Sequence, residues 1–161
     1  MFEDEYTLRT ANLNDVHVLV KHRRWMFEDM ARSKGVYIDI TGLDAMDIAY
    51  SAYINTHLGD GSLHAWVIQA GEQVVASGAV SIINQYPPHF VNIHGDIPYL
   101  HSVYTLHEYR RKGMARRIVR QAIDFCREKG FTIFKLHASQ EGRRLYESLG
   151  FQQTNEMSLK F

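Results

Sequence analysis

The chain is 161 residues long and 45% hydrophobic, with 18 Lys and Arg against 18 Asp and Glu. That length supports one sizeable core and is short for two ordinary domains, so a single domain over 1–161 is expected. The balanced charge argues against a general polyanion binder. The charge-rich first thirty residues argue against a signal peptide or membrane span, and the lone Cys126 excludes an intrachain disulfide, so a cytoplasmic location with no membrane partner is expected.

In chain order, the alternating "YTLRTA" (6–11) predicts a first strand. Asn12 or Asn14 can then cap a helix whose apolar positions Val16, Leu19, Val20, Met26, Phe27 and Met30 follow helical spacing up to Gly35. A second helix is expected from Leu43 to Leu58, before the turn signal at Gly59–Gly61. The runs 62–70 and 73–83 flank Gly71-Glu72 and read as an antiparallel hairpin. Asn84 to Pro98 holds all three prolines and reads as a loop. A strand over 99–106 and an amphipathic helix over 111–129 follow, the helix carrying Met114, Ile118, Ala122 and Phe125 on one side. The β-rich "FTIFKLHA" (131–138) then completes a parallel crossover. A short helix in "EGRRLYESLGF" precedes a last strand reaching Phe161.

The charge is concentrated where the strand over 99–106 hands over to the long helix, in "YTLHEYRRKGMARR" (104–117). Unpaired N–H groups at a helix start favour an anion. Gly113 lets a phosphate approach the backbone, Ala115 keeps the next close position small, and the neighbouring Arg and Lys add full charges. The pattern Arg110-x-x-Gly113-x-Ala115 is neither a nucleotide triphosphatase loop nor a dinucleotide fingerprint. It reads as a pyrophosphate cradle.

These residues resemble the acyl-coenzyme A binding half of the GNAT N-acetyltransferases, whose Arg/Gln-x-x-Gly-x-Gly/Ala signature lies between a strand and a helix. "LYESLGF" (145–151) is similar to a second family motif, a tyrosine on a short helix before a Gly-Phe turn. The resemblance implies a mixed α/β fold, with a mostly antiparallel central sheet of about six to seven strands flanked by about four helices. It also implies acetyl-coenzyme A as co-substrate. Residues Arg110, Arg111, Lys112, Gly113, Met114, Ala115 and Arg116 would wrap the pyrophosphate. Val103, Tyr104 and Thr105 would present main chain to the pantetheine arm, on a strand that in the family commonly bulges and splays from the next parallel strand. Ser139 stands where many relatives have an asparagine that contacts that arm.

Acetyl transfer from a thioester to an amine requires a neutral amine, oxyanion stabilisation and a proton for the leaving thiolate. The resemblance gives the oxyanion to a backbone N–H at 103–105 and the proton to Tyr146, which as an amphipathic helix residue can alternatively be a packing aromatic. His101 and Tyr99 lie where some relatives hold a base, and strand alternation puts both on the face of Val103 and Thr105. His101 titrates near neutral pH and is the better candidate base, although a hydrogen-bonded structural histidine reads the same way, and Tyr99 is left to substrate contact. Glu28 and Asp29 either steer a cationic amine or lie on a solvated helix face. His89, His94 and His101 match no zinc spacing and have no cysteine nearby, so no metal is expected. Tyr50, Tyr53, Trp66, Tyr86 and Phe90 could line a pocket or fill the core.

The expected activity is acetyl transfer to a small-molecule or peptidyl amine in a ternary complex. A non-catalytic acyl-coenzyme A sensor is the second reading, and a nucleic-acid binder built on the basic loop is the third, disfavoured by net neutrality and by Gly113. An exposed last strand would allow a homodimer.

Overall fold

The computed structural model describes residues 5–84 and 86–161. Strand β1 (Thr7–Thr10) leads through a 3-10 turn over Leu13–Asp15 into helix α1 (Val16–Lys34), and α2 (Ile40–Asp60) follows. Asn12 makes the turn: its side chain accepts from Asn14 N–H while Asp15 accepts from Asn12 N–H, a reciprocal cap. Asp15 also takes both Nη groups of Arg9 at 2.7 and 2.8 Å, which fastens β1 to the start of α1.

Strands β2 (Leu63–Ala70), β3 (Gln73–Ile83), β4 (Ile97–Thr105) and β5 (Lys135–Leu136) complete a five-stranded sheet in the order β1-β2-β3-β4-β5. Its pairings are antiparallel except the last, where α3 (Met114–Glu128) carries the chain from β4 to a parallel β5. Helix α4 (Arg143–Ser148) comes last. The mixed architecture is the expected one, with one sheet and four α-helices among the described residues.

Strand alternation gives the sheet two apolar faces. Ala65, Val67 and Ala79 pack with Leu19 of α1 and Tyr50 and Ile54 of α2 on one side. Trp66, Ile68, Val80 and Leu100 pack with Met114, Ile118, Val119 and Ala122 of α3 on the other. The buried α3 positions recur every three or four residues, so one helix stripe covers one sheet face. Cys126 extends that stripe, and burial pushes its thiol up to about 12, which makes it a packing residue.

Three expected elements differ. The sheet has five strands rather than six to seven, because residues 151–161 form no strand. The run 131–138 has strong β propensity but pairs only at Lys135 and Leu136, since β4 turns away beyond Leu100. Pro98 belongs to β4, opposite Ile82; at the second residue of a strand its missing N–H is tolerated.

Candidate active site

The site begins with an irregularity in β4. The β3–β4 register pairs Ser77 with Tyr104 and Ala79 with His101, so Gly78 faces both Ser102 and Val103. This is a bulge, with Ser102 at φ 56°. Gly78 is required there, because a Cβ would come within 3.3 Å of Val103 Cγ2 and closer still to Ile118 Cγ2. The bulge corrects the alternation expected from sequence. His101 and Ser102 both turn to the α1–α2 face, whereas Val103 packs toward α3.

Parallel pairing of β4 with β5 stops at Leu100–Leu136, two residues before the bulge begins at Ser102. Beyond it the strands part, and a cleft of about 670 Å³ opens between β4, α1, the start of α3 and the segment leading into α4. Buried Thr105 Oγ1 has no partner among the described residues.

At one end of the cleft lies the basic loop. Arg111 (φ 62°) and Gly113 (φ 80°) are both left-handed, and Gly113 caps α3. The first helical bond runs from Arg117 N–H to Gly113 O, so the preceding N–H groups of the first turn face outward. A Cβ on Gly113 would meet nothing within 4 Å, so the space above this turn is open to a ligand. The geometry suits a phosphate.

The side chains around this turn are partly committed elsewhere. Arg110 donates Nε–H to Thr105 O (2.9 Å) and Nη2–H to Asp29 (2.6 Å), joining the loop to β4 and α1. Arg116 donates to Ser148 Oγ at 2.8 Å. Lys112 lies over the Tyr6 and Tyr109 rings and does not line the cleft; Arg110, Arg111, Gly113, Met114, Ala115 and Arg116 do.

Across the cleft, Ser139 and Tyr146 stand on the α4 side. Ser139 Oγ accepts from Gly142 N–H and its carbonyl accepts from Arg143 N–H, so it starts the α4 turn while lining the cleft. The Tyr146 ring packs edge-on against Phe151, with centroids 5.9 Å apart. Burial raises its pKa, so the phenol stays protonated across the neutral range.

At the other end, His101 sits in a polar network on the α1–α2 side. Its Nε2 lies 2.7 Å from Ser81 Oγ and its Nδ1 2.9 Å from Ser102 Oγ; Tyr53 OH reaches Ser81 at 2.7 Å. Ser102 Oγ already accepts from Arg23 Nη1 (2.7 Å) and Tyr50 OH (3.3 Å), so its own proton goes to His101 Nδ1, leaving the ring hydrogen on Nε2. Burial, then the charge of Arg23, pushes His101 down to about 3. His101 is a neutral imidazole with both nitrogens occupied, even though part of the residue opens on the cleft. Beneath the same wall, buried His22 bonds Ser77 Oγ at 2.7 Å and is pushed to about 4 by burial.

The two acids on α1 separate. Asp29 lines the cleft but accepts from Arg110 and lies 3.1 Å from His107 Nε2, and these partners hold its pKa down against the opposing effect of burial. Glu28 pairs with Arg24, which also holds Asp44 and Asp47 of α2, and it does not line the cleft. Tyr99 lines the cleft, its pKa raised chiefly by burial. Tyr50 and Trp66 are core residues, while Tyr53, Tyr86 and Phe90 lie outside the cleft. Among the described residues no three His, Cys, Asp or Glu side chains cluster as metal ligands would, and no helix is long and apolar enough to cross a membrane.

Sequence reasoning missed Arg23, Ser102 and the apolar wall of Met26, Phe27 and Met30, which face the cleft rather than the core. A signal existed: positions 23, 26, 27 and 30 share one helical face, and an arginine interrupts an otherwise apolar stripe.

Residues 25–151 match the acetyltransferase (GNAT) family, and the chain belongs to it. A GCN5-related N-acetyltransferase from Ralstonia eutropha superposes with TM-score 0.86 at 25% identity, covering 97% of this chain and 98% of the other. A predicted acetyltransferase from Clostridium acetobutylicum, solved with acetyl-CoA, gives 0.83 at 28% identity and 96% coverage of both. N-acetyltransferase 8F1 of Rattus norvegicus is 31% identical over 119 residues, 72% of this chain and 49% of the rat protein. The chain spans about half the length of the curated relatives it matches.

Proposed function

We propose that this chain, as one GNAT domain, moves an acetyl group from acetyl-coenzyme A to a primary amine by direct attack in a ternary complex. The observation that carries this is the continuity of the cleft. It joins a helix N-terminus suited to phosphate, a strand edge freed by the β4–β5 splay, and a protonated tyrosine. The cradle over Arg110–Arg116 would take the pyrophosphate, mainly through main-chain N–H groups. The edge of Val103, Tyr104 and Thr105 would take the pantetheine arm as a further strand, and Ser139 would border it.

The amine nitrogen then attacks the thioester carbon, a main-chain N–H at the bulge stabilises the oxyanion, and the C–S bond breaks as Tyr146 gives its proton to the sulfur; the surplus proton on the nitrogen leaves to solvent water, and the Tyr146 phenolate regains one from the same source. His101 was the expected base. With a pKa near 3 and both nitrogens bonded, it acts in this proposal by orienting Ser102 and Ser81, and the amine enters neutral. Tyr99 would flank the acceptor.

The test is acceptor-dependent release of free coenzyme A. Incubation with acetyl-coenzyme A and a panel of amines should release thiol only with an acceptor present and yield one acetylated product. Tight acetyl-coenzyme A binding with no release across the panel would favour a sensor.

A further inference from the structure

The acceptor end of the cleft carries a cation with no counter-ion among the described residues. Arg23, on the α1 wall, lies over the Tyr50 ring (4.7 Å) and the Phe27 ring (5.1 Å). Of its five N–H donors one is accounted for, Nη1 to Ser102 Oγ at 2.7 Å; the buried Nε has no partner among the described residues. No carboxylate among the described residues forms a salt bridge with it, although its neighbours are paired: Arg24 with three acids, and Asp29 with Arg110 and His107. Glu141, the other acid bordering the cleft, accepts from the Ser33 hydroxyl.

A partly buried guanidinium backed by aromatic rings and lacking an anion is costly unless something anionic completes it. Its planar fork matches a carboxylate. Through Ser102 it is also tied to the β4 bulge, where the proposed reading puts the acyl group. Of the two acids that border the cleft, Asp29 is meanwhile already paired with Arg110.

We infer that the acceptor is an amine that itself carries a carboxylate, in the manner of an amino acid, with Arg23 holding that carboxylate and Met26, Phe27 and Met30 taking an apolar side chain. This rests on the acetyl-transfer reading of the same cleft. Arg23 is then a specificity residue, distinct from the groups that act on the thioester.

Three probes of matched shape test it: phenylalanine, phenylalanine amide, in which the carboxylate is replaced by a neutral carboxamide, and phenethylamine, which lacks it. The acid should be acetylated with a kcat/KM about ten- to a hundredfold above the amide and the amine, chiefly through KM. Arg23→Gln should erase that preference, lowering kcat/KM for the acid toward that of the amide and the amine, and Arg23→Lys should restore part of it. Thermal unfolding of each variant checks its fold. Binding of 3-phenylpropionate, a carboxylate without an amine, to the coenzyme A complex provides a readout without turnover and should weaken in Arg23→Gln.

Equal or better use of the amide or amine, or an Arg23→Gln loss common to all three, would overturn the inference while leaving acetyl transfer intact. Arg23-dependent carboxylate binding with no acetylation of any probe would support the anion site and count against the catalytic reading. No carboxylate binding together with no preference for the acid would overturn the inference outright.

Discussion

The two ends of the cleft are built from different material. At the end proposed for the phosphates the surface is backbone: Arg111 and Gly113 are left-handed and the first turn of α3 points its N–H groups outward. At the end proposed for the acceptor the wall is side chain: Arg23, His101 and Ser102 line the cleft and are hydrogen-bonded directly or in turn to Ser81, Tyr50 and Tyr53 behind them, so that two helices and two strands contribute. A backbone site needs only a contiguous run that bends correctly, so it survives changes in its side chains. A side-chain site depends on every element that positions it.

Tyr146 gives the sharpest contrast, because one hydroxyl is asked to supply the leaving-group proton. Tyr146→Phe keeps the ring against Phe151 and should lower turnover roughly ten- to ten-thousandfold, with acetyl-coenzyme A affinity nearly unchanged. Steady-state rates beside calorimetric binding would check this. A normal rate would make Tyr146 a packing residue.

The acceptor wall should also be the acid-sensitive region. His101 and His22 have folded pKa values near 3 and 4, below the ordinary imidazole value near 6.5. Between about pH 6.5 and 4 the unfolded chain therefore binds protons that the folded chain refuses, so stability falls as pH falls, by up to about 3 kcal/mol per pH unit if both groups contribute fully. Their contribution is fully present above about pH 6.5. Urea unfolding from pH 7.5 to 4.5 measures the slope. Replacing His101 with Gln should flatten it, and a slope that is flat in the wild type would contradict the buried neutral imidazoles. The same geometry predicts that a pH–rate limb near neutrality follows the acceptor amine rather than His101.

Gly78 tests the bulge from behind. Gly78→Ala puts a methyl group into Ile118 and Val103 and should cost about 1–3 kcal/mol in chemical denaturation. Turnover should suffer more than coenzyme A binding, since the proposed phosphate cradle lies beyond the displaced strand. Unchanged stability would mean that the bulge tolerates a side chain.

What was legible in the sequence follows the same division. The Gly113 loop could be read because its residues are neighbours and its chemistry is that of any helix start. The hairpin, both long helices and the α3 stripe could be read from periodicity and turn residues. The bulge could not, because "LHSVYT" alternates acceptably without it and only the pairing with Gly78 reveals the extra residue. The engagement of Asp29 by Arg110, eighty-one positions apart, has no sequence signature either. An acid on a helix face looks the same whether it awaits a substrate or already has a partner. The short β5 and the absent last strand show a related limit: propensity marks a segment able to pair and is silent on whether a partner comes within reach.

The most direct test of the account is the stabilisation of three proteins by coenzyme A: wild type, Gly113→Ala and Gly113→Asp. Both variants force a side chain into a left-handed residue, at a shared cost of about 1–2 kcal/mol without ligand, and neither Cβ meets a neighbour, so they differ only in the carboxylate aimed at the phosphates. With ligand at about one hundred times the wild-type Kd, wild type should gain about 2.7 kcal/mol, Gly113→Ala less because its methyl group enters the space open to the phosphate, and Gly113→Asp almost nothing. Stabilisation of Gly113→Asp equal to that of wild type would contradict the cradle, and with it the assignment of the whole cleft to an acyl-coenzyme A.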